Sequence, residues 1–136
     1  MKLNHKILII DDNVIDQIVT KQLLKKKLNL QDIHVVNSGK EALQWLQHYK
    51  KEKDVFLVIL LDIKMPEMDG FEFLDEFDNP HNRISIDDFV IVMLSSSLDP
   101  NDKKRAQKNT HVHTLLSKPL QVEELSAVLL ATETKS

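Results

Sequence analysis

The segment FLVILLD, residues 56–62, places six consecutive apolar residues directly before an aspartate. An apolar run of strand length without alternation is typical of a strand that is covered on both faces. The run Phe89–Leu94 has the same character, and three other stretches also have strand length: Lys6–Ile10, Ile33–Val36 and Val112–Leu116. We therefore predict five strands along the chain.

Segments with a helical period separate these strands and follow the last one. Their apolar residues recur at intervals of three or four positions, which is typical of an amphipathic helix. The fourth segment, roughly residues 100–108, is very polar and offers little beyond Ala106 to bury. The apolar markers of the other four predicted helices are Ile15, Ile18, Val19, Leu23 and Leu24; Ala42, Leu43, Leu46 and Tyr49; Phe71, Leu74 and Phe77; and Val122, Leu125, Val128 and Leu129.

Capping signals support this division. Ser38 and Glu41 have the spacing of a capping box, which predicts a helix start at the second helical segment. Asp99 before Pro100 fits an N-cap followed by proline at the first helical position. The segment Asp78–Asp88 is rich in turn-forming and acidic residues, so we predict a loop there.

Five strand–helix units in series imply an α/β fold, a parallel sheet with helices on both faces. The chain has 136 residues, the length of one domain, and 42% of them are apolar, which is enough for a core. We expect a single domain over residues 1–136 with its core at about residues 5–131. The tail after Ala131 is short and polar, and we expect it to fray.

The composition excludes several classes of function. There is no cysteine, which excludes disulfides, thiolate metal sites and cysteine nucleophiles. The net charge of −3, with many charges of both signs, argues against nucleic-acid binding driven by bulk charge. The apolar run near the start is too short for a signal peptide, and no stretch approaches the ~20 apolar residues of a membrane helix. We therefore expect a soluble cytoplasmic protein.

Polar residues follow four of the five predicted strands. Asp11 and Asp12 follow the first strand, Asp62 the third, Ser95 the fourth, and Lys118 comes just after the fifth. In an open parallel sheet, sites form beyond the carboxyl ends of the strands. We therefore expect these five side chains to converge at one edge of the molecule.

Carboxylates, a hydroxyl and an ammonium make chemical sense together. Carboxylates held ~4 Å apart repel one another by roughly 4 kcal/mol per pair at an effective dielectric constant near 20. Mg²⁺ relieves such repulsion, because it prefers oxygen ligands and is bound by one or two carboxylates plus phosphate oxygens. An aspartate in such a site can attack phosphorus, while a lysine and a hydroxyl bind the phosphoryl oxygens.

Four segments together resemble the receiver domain of bacterial two-component response regulators. They are Ile7–Asn13 with its acidic pair, Leu60–Gly70 around Asp62, Val92–Ser96, and the lysine–proline segment Ser117–Leu120. The resemblance covers essentially the whole chain, in order. It implies a flavodoxin-like, doubly wound five-stranded sheet with strand order 2-1-3-4-5.

The resemblance also implies roles at the acidic residues. Asp62 would accept a phosphoryl group from a histidine kinase or a histidine phosphotransfer protein. Asp12 and Asp62 would be direct Mg²⁺ ligands, with the backbone carbonyl of Lys64 as a third and Asp11 helping through water. The domain would be a phosphoacceptor that catalyses only its own phosphorylation and dephosphorylation, and not an enzyme with turnover.

Ser95 and Lys118 would bind the phosphoryl group, by a hydroxyl hydrogen bond and by an ion pair, and the Lys118–Pro119 peptide bond would be cis. The readout would be a partner protein, bound through the fourth helix, the fifth strand and the fifth helix. We expect a monomer or weak homodimer, with no direct contact to nucleic acid or membrane. Two positions depart from the family pattern: Leu115 stands where an aromatic residue is common, and Lys64 is a cation near the acceptor.

Two rival functions are open to test. A phosphatase of the haloacid dehalogenase type also has an aspartate after a strand, but it carries a second aspartate two residues later, where this chain has Lys64. A receiver-like binding module that is never phosphorylated would not need the full set of site residues.

His111 and His113 have a spacing that can bind zinc, but no third ligand is evident.

Overall fold

A computed structural model of the chain describes residues 4–133. Its centre is a parallel sheet of five strands in the order β2-β1-β3-β4-β5, which confirms the predicted fold class and strand order. All five predicted strands are present, each within two residues of its expected bounds. They are β1 (Asn4–Ile10), β2 (Ile33–Val36), β3 (Val55–Asp62), β4 (Phe89–Ser95) and β5 (Val112–Ser117).

Five helices connect and follow the strands, at the predicted places. One turn of 3₁₀ helix, Pro80–Asn82, lies in the segment predicted to be a loop. The N-caps predicted at Ser38 and Asp99 are both present. The helices are α1 (Val14–Leu28), α2 (Gly39–His48), α3 (Gly70–Asp78), α4 (Pro100–Lys108) and α5 (Val122–Glu133).

The central strand β3 is covered on both faces, as its continuous apolar sequence predicts. Leu57, Ile59 and Leu61 pack on the face that carries α2, α3 and α4. The alternate residues, Phe56 and Leu60 among them, pack on the face that carries α1 and α5. Burying one such side chain contributes about 1.5–3 kcal/mol, so the two layers of core hold β3 in a fixed register. That register places Asp62 at the carboxyl edge of the sheet, beside Leu94 of β4.

Helix α1 departs from the expectation that its apolar residues face the core. Thr20 and Leu24 are its buried residues, whereas Ile15 is 71% exposed and Ile18 is 54% exposed. Periodicity correctly predicted the helix but not its buried face, because apolar residues run around much of its surface. The result is an uncovered apolar surface near the carboxyl edge of the sheet.

Two smaller expectations need correction. The Glu41 side chain accepts a hydrogen bond from the backbone N–H of Asn37, one residue before the N-cap, so it does not complete the capping box with Ser38. Thr132 is buried within α5 and donates to the carbonyl of Leu129, so this part of the predicted tail is ordered. Residues 134–136 of that tail lie outside the described residues. Within residues 4–133, none of the helices has the length and apolar character needed to cross a membrane.

Candidate functional site

The predicted site residues lie at the carboxyl edge of the sheet, where the loops after β1, β3, β4 and β5 meet. Asp11 is 2% exposed and Asp62 is 6% exposed, whereas Asp12 is open to solvent. Carboxylate oxygens of these three residues all lie within 4.8 Å of one another. Parallel strands produce this convergence, because their carboxyl ends all face the same edge.

Local hydrogen bonds hold the loop after β1 in place. Asp11 Oδ1 accepts from the backbone N–H of Asn13 at 2.9 Å, and the Asn13 side chain caps α1 by accepting from the N–H of Asp16 at 3.0 Å. Gln17 donates from α1 to the backbone carbonyl of Asp11 at 2.5 Å. The first turn of α1 and the acidic loop therefore form one connected unit.

Lys118 extends from the end of β5 to this acidic cluster. Its Nζ lies 2.9 Å from Asp11 Oδ2, 2.9 Å from Asp16 Oδ2 and 3.3 Å from Asp62 Oδ1. The Lys118–Pro119 peptide bond is cis, as predicted, and the backbone N–H of Lys118 donates to the carbonyl of Ser95 at 2.8 Å. The side chain is only 11% exposed, so one ammonium serves three carboxylates in a largely desolvated position.

The pKa values of Asp62 and Lys118 are both raised, but for different reasons. Burial, together with the nearby charge of Asp11, raises the pKa of Asp62 to about 6, although Lys118 partly opposes this. For Lys118, burial lowers the pKa, but hydrogen bonds to Asp11 and Asp16 and the charge of Asp62 outweigh it, so the pKa is raised overall. The ammonium therefore stays charged, while Asp62 is ionised only above about pH 6.

The acidic cluster has the chemistry of a magnesium site. Three carboxylates within 4.8 Å of one another repel strongly when ionised, and one ammonium cannot neutralise three negative charges. Oxygen-rich, partly solvated clusters of this kind suit Mg²⁺, which keeps several waters. Asp11, Asp12 and Asp62 could therefore hold such an ion.

The other two predicted site residues are near the cluster but directed differently. Ser95 is buried, and its hydroxyl donates to the carbonyl of Ser97 and accepts from the N–H of Ser97. The backbone N–H of Lys64 approaches Asp62 Oδ1 at 3.4 Å, and the Lys64 side chain is exposed. The Ser95 hydroxyl is thus directed at Ser97, and it is the backbone of Lys64 that approaches Asp62.

Sequence reasoning missed Asp16, which contributes a fourth carboxylate to the site. An aspartate in the first turn of a helix is common, because it interacts favourably with the helix dipole, so its sequence position carries no specific signal. Its contact with Lys118 joins residues 102 positions apart, and only the folded chain reveals it. Within residues 4–133, His111 and His113 join no cluster of three possible metal ligands: His111 pairs with Asp78, and His113 is exposed.

The fold and the site define a doubly wound α/β protein with an acidic pocket and a lysine at the carboxyl edge of its sheet. A family model, the response regulator receiver domain, matches residues 7–130. The chain belongs to the response regulator receiver domain family, and is thus a receiver domain of two-component phosphorelay signalling.

Solved structures and a curated relative support this assignment. A response regulator receiver protein from Dyadobacter fermentans is 30% identical, with a TM-score of 0.79 and coverage of 94% of this chain and 97% of that one. A two-component response regulator from Cytophaga hutchinsonii is 27% identical, with a TM-score of 0.78 over 99% of this chain and 100% of that one. The hybrid signal transduction histidine kinase K of Dictyostelium discoideum is 34% identical over 96% of this chain, which spans 10% of the kinase.

Proposed function

We propose that this domain accepts a phosphoryl group on Asp62 from a histidine kinase or a histidine phosphotransfer protein, with Mg²⁺ as cofactor, and signals through a partner protein. One observation carries the proposal: the buried Asp62 carboxylate lies 3.3 Å from the Lys118 ammonium and belongs to a cluster of three carboxylates within 4.8 Å. A nucleophile, a cation for the phosphoryl oxygens and a place for the metal are thus together.

The chemistry follows from these positions. A carboxylate oxygen of Asp62 attacks the phosphorus of a phosphohistidine, and the phosphorus–nitrogen bond breaks as the new phosphorus–oxygen bond forms. The electron pair of the broken bond stays on the histidine nitrogen. Without a bound metal, burial raises the pKa of Asp62 to about 6, so its carboxylate is largely ionised at neutral pH. Lys118 donates a hydrogen bond to the transferred group and so stabilises its negative charge.

Asp12 and Asp62 would bind the metal directly, together with the backbone carbonyl of Lys64, and Asp11 would contribute through water. When bound, Mg²⁺ supplies positive charge that offsets the charge on the phosphoryl oxygens.

We expect millimolar Mg²⁺ to raise the midpoint of thermal unfolding of the wild type, because binding to the native state alone stabilises it. The same addition should have little effect on Asp12→Asn. Equal shifts in both proteins would contradict this metal site.

The Ser95 hydroxyl would have to leave its contacts with Ser97 and turn toward the phosphoryl group. Replacing Ser95 with alanine should therefore weaken binding of the phosphoryl mimic beryllofluoride without changing the fold. Circular dichroism checks the fold, and fluorescence titration measures the binding. Unchanged binding would exclude this role for the hydroxyl.

The phosphodonor has a candidate docking surface on α1. Val14, Ile15, Ile18 and Val19 are 61%, 71%, 54% and 40% exposed, and their spacing places them side by side on one face. This face begins at the turn that carries Asp16, beside the site. An exposed apolar helix face of this kind marks an interaction site and suits a partner that presents an apolar surface of its own.

The docking surface can be tested separately from the chemistry. Ile18→Ser should slow phosphoryl transfer from a phosphohistidine protein, because apolar contact area is lost, but leave phosphorylation by acetyl phosphate unchanged. The matched control is Leu130→Ser in the last turn of α5, where the side chain is 60% exposed. This control should leave both reactions unchanged. Equal slowing by both substitutions would contradict docking on α1.

The exposed Lys64 side chain lies two positions after the acceptor, where it could contact the phosphoryl group or shield it from water. We hypothesise that it prolongs the life of the aspartyl phosphate. Lys64→Asn should therefore shorten that lifetime, measured by the decay of the phosphorylated mass after the donor is removed. An unchanged lifetime would show that Lys64 is only a solvated residue.

The output surface is proposed at α4, β5 and α5. Leu115 is half-buried there and packs against the core beside a groove of about 320 Å³ between α4 and β5. Phosphorylation would shift an equilibrium between two forms of this surface, which requires that the phosphoryl group interact differently with each. Residues 1–136 act as one cytoplasmic receiver domain in this proposal, as a monomer or weak homodimer, without direct binding to nucleic acid or membrane.

Intact mass spectrometry tests the central proposal. Acetyl phosphate with Mg²⁺ should add the mass of one phosphoryl group to the wild type, and Asp62→Asn should remain unmodified. Asp32→Asn, at an exposed carboxylate on the opposite edge, is the matched control and should be modified like the wild type. No adduct on the wild type would favour a receiver-like binding module. Turnover of a small phosphate ester that Asp62→Asn abolishes would favour a phosphatase.

A further inference from the structure

Asp16 has no part in the proposed chemistry, yet it makes one of the shortest contacts in the site. Its Oδ2 accepts a hydrogen bond from Lys118 Nζ at 2.9 Å, the same distance as the bond that Lys118 Nζ donates to Asp11 Oδ2. Lys118 Nζ is farther, 3.3 Å, from the acceptor Asp62. The ammonium therefore hydrogen-bonds to Asp11 and Asp16, and its contact with Asp62 is the longest of the three.

This contact is not explained by helix capping. Asn13 already caps α1 by accepting from the N–H of Asp16, so the Asp16 carboxylate is free to act outside the helix. Its side chain is 38% exposed, whereas the Lys118 side chain is 11% exposed. An ammonium with little access to water depends on its protein partners for hydrogen bonds. Asp16 accepts one of the two that Lys118 Nζ makes, and Asp11 accepts the other.

The surroundings leave room for the ammonium to move. A cavity of about 300 Å³ lies beside it on the α1 side, lined by residues that include Asp16, Thr20, Ser96 and Pro119. A cavity of this size, open to solvent and with polar groups in its wall, accommodates water. Lys118 thus lies between Asp62 and a solvated space that Asp16 borders.

We propose that Asp16 is a positioning residue that competes with the phosphoryl group for Lys118, and so sets how firmly the site holds that group. This inference rests on the proposed function, because it concerns the same lysine. A phosphoryl group on Asp62 needs a hydrogen bond from Lys118, and the ammonium has three N–H groups to share. Each bond retained by Asp16 is one that the phosphoryl group lacks. Removing the Asp16 charge should therefore strengthen the hold on the phosphoryl group.

The experiment measures affinity for beryllofluoride in the presence of Mg²⁺, a phosphoryl mimic that involves no turnover. Asp16→Asn should bind beryllofluoride about three- to tenfold more tightly than the wild type, the size expected for one partly exposed charged hydrogen bond. Asp16→Glu keeps the carboxylate within reach of Lys118 and should return the affinity to near the wild-type value. Asp32→Asn is the matched control and should not change it. Unchanged or weaker binding by Asp16→Asn would overturn the proposal.

A double-mutant cycle separates this role from a general effect of charge. In a Lys118→Gln background, Asp16→Asn should change beryllofluoride affinity by less than about twofold, because the competition no longer exists. An equal gain in both backgrounds would show that Asp16 acts only as a distant negative charge, and would overturn the proposal.

A second cycle, on unfolding in urea with EDTA, tests the pair without metal or mimic. The effects of Asp16→Asn and Lys118→Gln on the unfolding equilibrium constant should be non-additive by at least about threefold. Additive effects would overturn the pairing alone and leave the proposed function standing. A wild type that neither binds beryllofluoride nor accepts a phosphoryl group would instead overturn the proposed function, and this proposal with it.

Discussion

The carboxyl edge of the sheet, where the parallel strands end, and the opposite edge, where they begin, carry similar residues in different arrangements. At the carboxyl edge, Lys118 is 11% exposed and contacts three carboxylates. At the opposite edge, the chain makes isolated pairs with exposed acids, including Lys6 with Asp32 and Lys51 with Asp88, whose carboxylate side chains are 58% and 55% exposed.

The difference shows that burial and convergence, more than residue type, give charges a function. An exposed pair gains little, because water solvates each partner almost as well. Burying charges in a cluster costs free energy, because water no longer solvates them. This cost raises the pKa of Asp62. We therefore expect an added charge to perturb the carboxyl edge more strongly than the opposite edge.

The largest expected effect on stability comes from replacing the lysine at the carboxyl edge, compared with a lysine at the opposite edge. Lys118→Gln should lower the free energy of unfolding by about 2–3 kcal/mol, because it leaves buried carboxylates without their cation in a site that solvent partly reaches. Lys51→Gln at the opposite edge should leave the denaturation midpoint unchanged. Urea denaturation at pH 7.5 in EDTA measures both. Equal effects would remove the contrast between the edges.

The next effect concerns the backbone beside Asp62. A Cβ added at Gly70, the first residue of α3, would lie 2.8 Å from the backbone oxygen of Asp62 and 3.0 Å from Ile63 Cα. Gly70→Ala should therefore destabilise the protein by about 1–2 kcal/mol, the cost of moving packed backbone.

Gly39→Ala is the control for that substitution. Its Cβ would lie 2.7 Å from Met68 Sδ, which can move because it is near the end of a flexible side chain. We expect a smaller loss of stability than for Gly70→Ala, measured by the same denaturation. The reverse order would show that the loop after β3 yields more easily than its packing indicates.

The smallest expected effect has the opposite sign. Asp62→Asn should raise the free energy of unfolding by about 1 kcal/mol at pH 7.5 in EDTA, because it removes a buried charge that Asp11 repels. The raised pKa means that the native protein binds this proton more tightly than the unfolded chain does. The contribution of Asp62 to wild-type stability therefore falls as pH rises from about 4, the usual aspartate pKa, to about 6.

The gain in Asp62→Asn should appear across that pH range and vanish below about pH 4, where the wild-type carboxyl is protonated in both states. Asp32→Asn at the opposite edge should show no such gain, since its carboxylate is exposed. Denaturation curves from pH 3.5 to pH 8 provide the comparison. A stability difference independent of pH would mean that packing, and not charge, distinguishes the Asp62 variant.

Much of this molecule could be predicted from its sequence. The continuous apolar run before Asp62 has to be buried on both faces, which requires a parallel sheet covered by helices on each side. Strand ends then place Asp11, Asp12, Asp62 and Lys118 at one edge without any knowledge of distances. These features follow from local pattern and topology, which a linear sequence contains.

Other features were decided only by the tertiary structure. The exposed face of α1 depends on where α5 packs. The Ser95 hydroxyl donates a hydrogen bond to the backbone of Ser97. Asp16 in α1 accepts one from Lys118, which lies 102 positions away along the chain. The raised pKa of Asp62 likewise depends on burial and on neighbours a few ångströms away. Periodicity and spacing record which residues alternate or recur along the chain. Hydrogen bonds and Coulomb energies depend instead on distances in space, which exist only once the chain has folded.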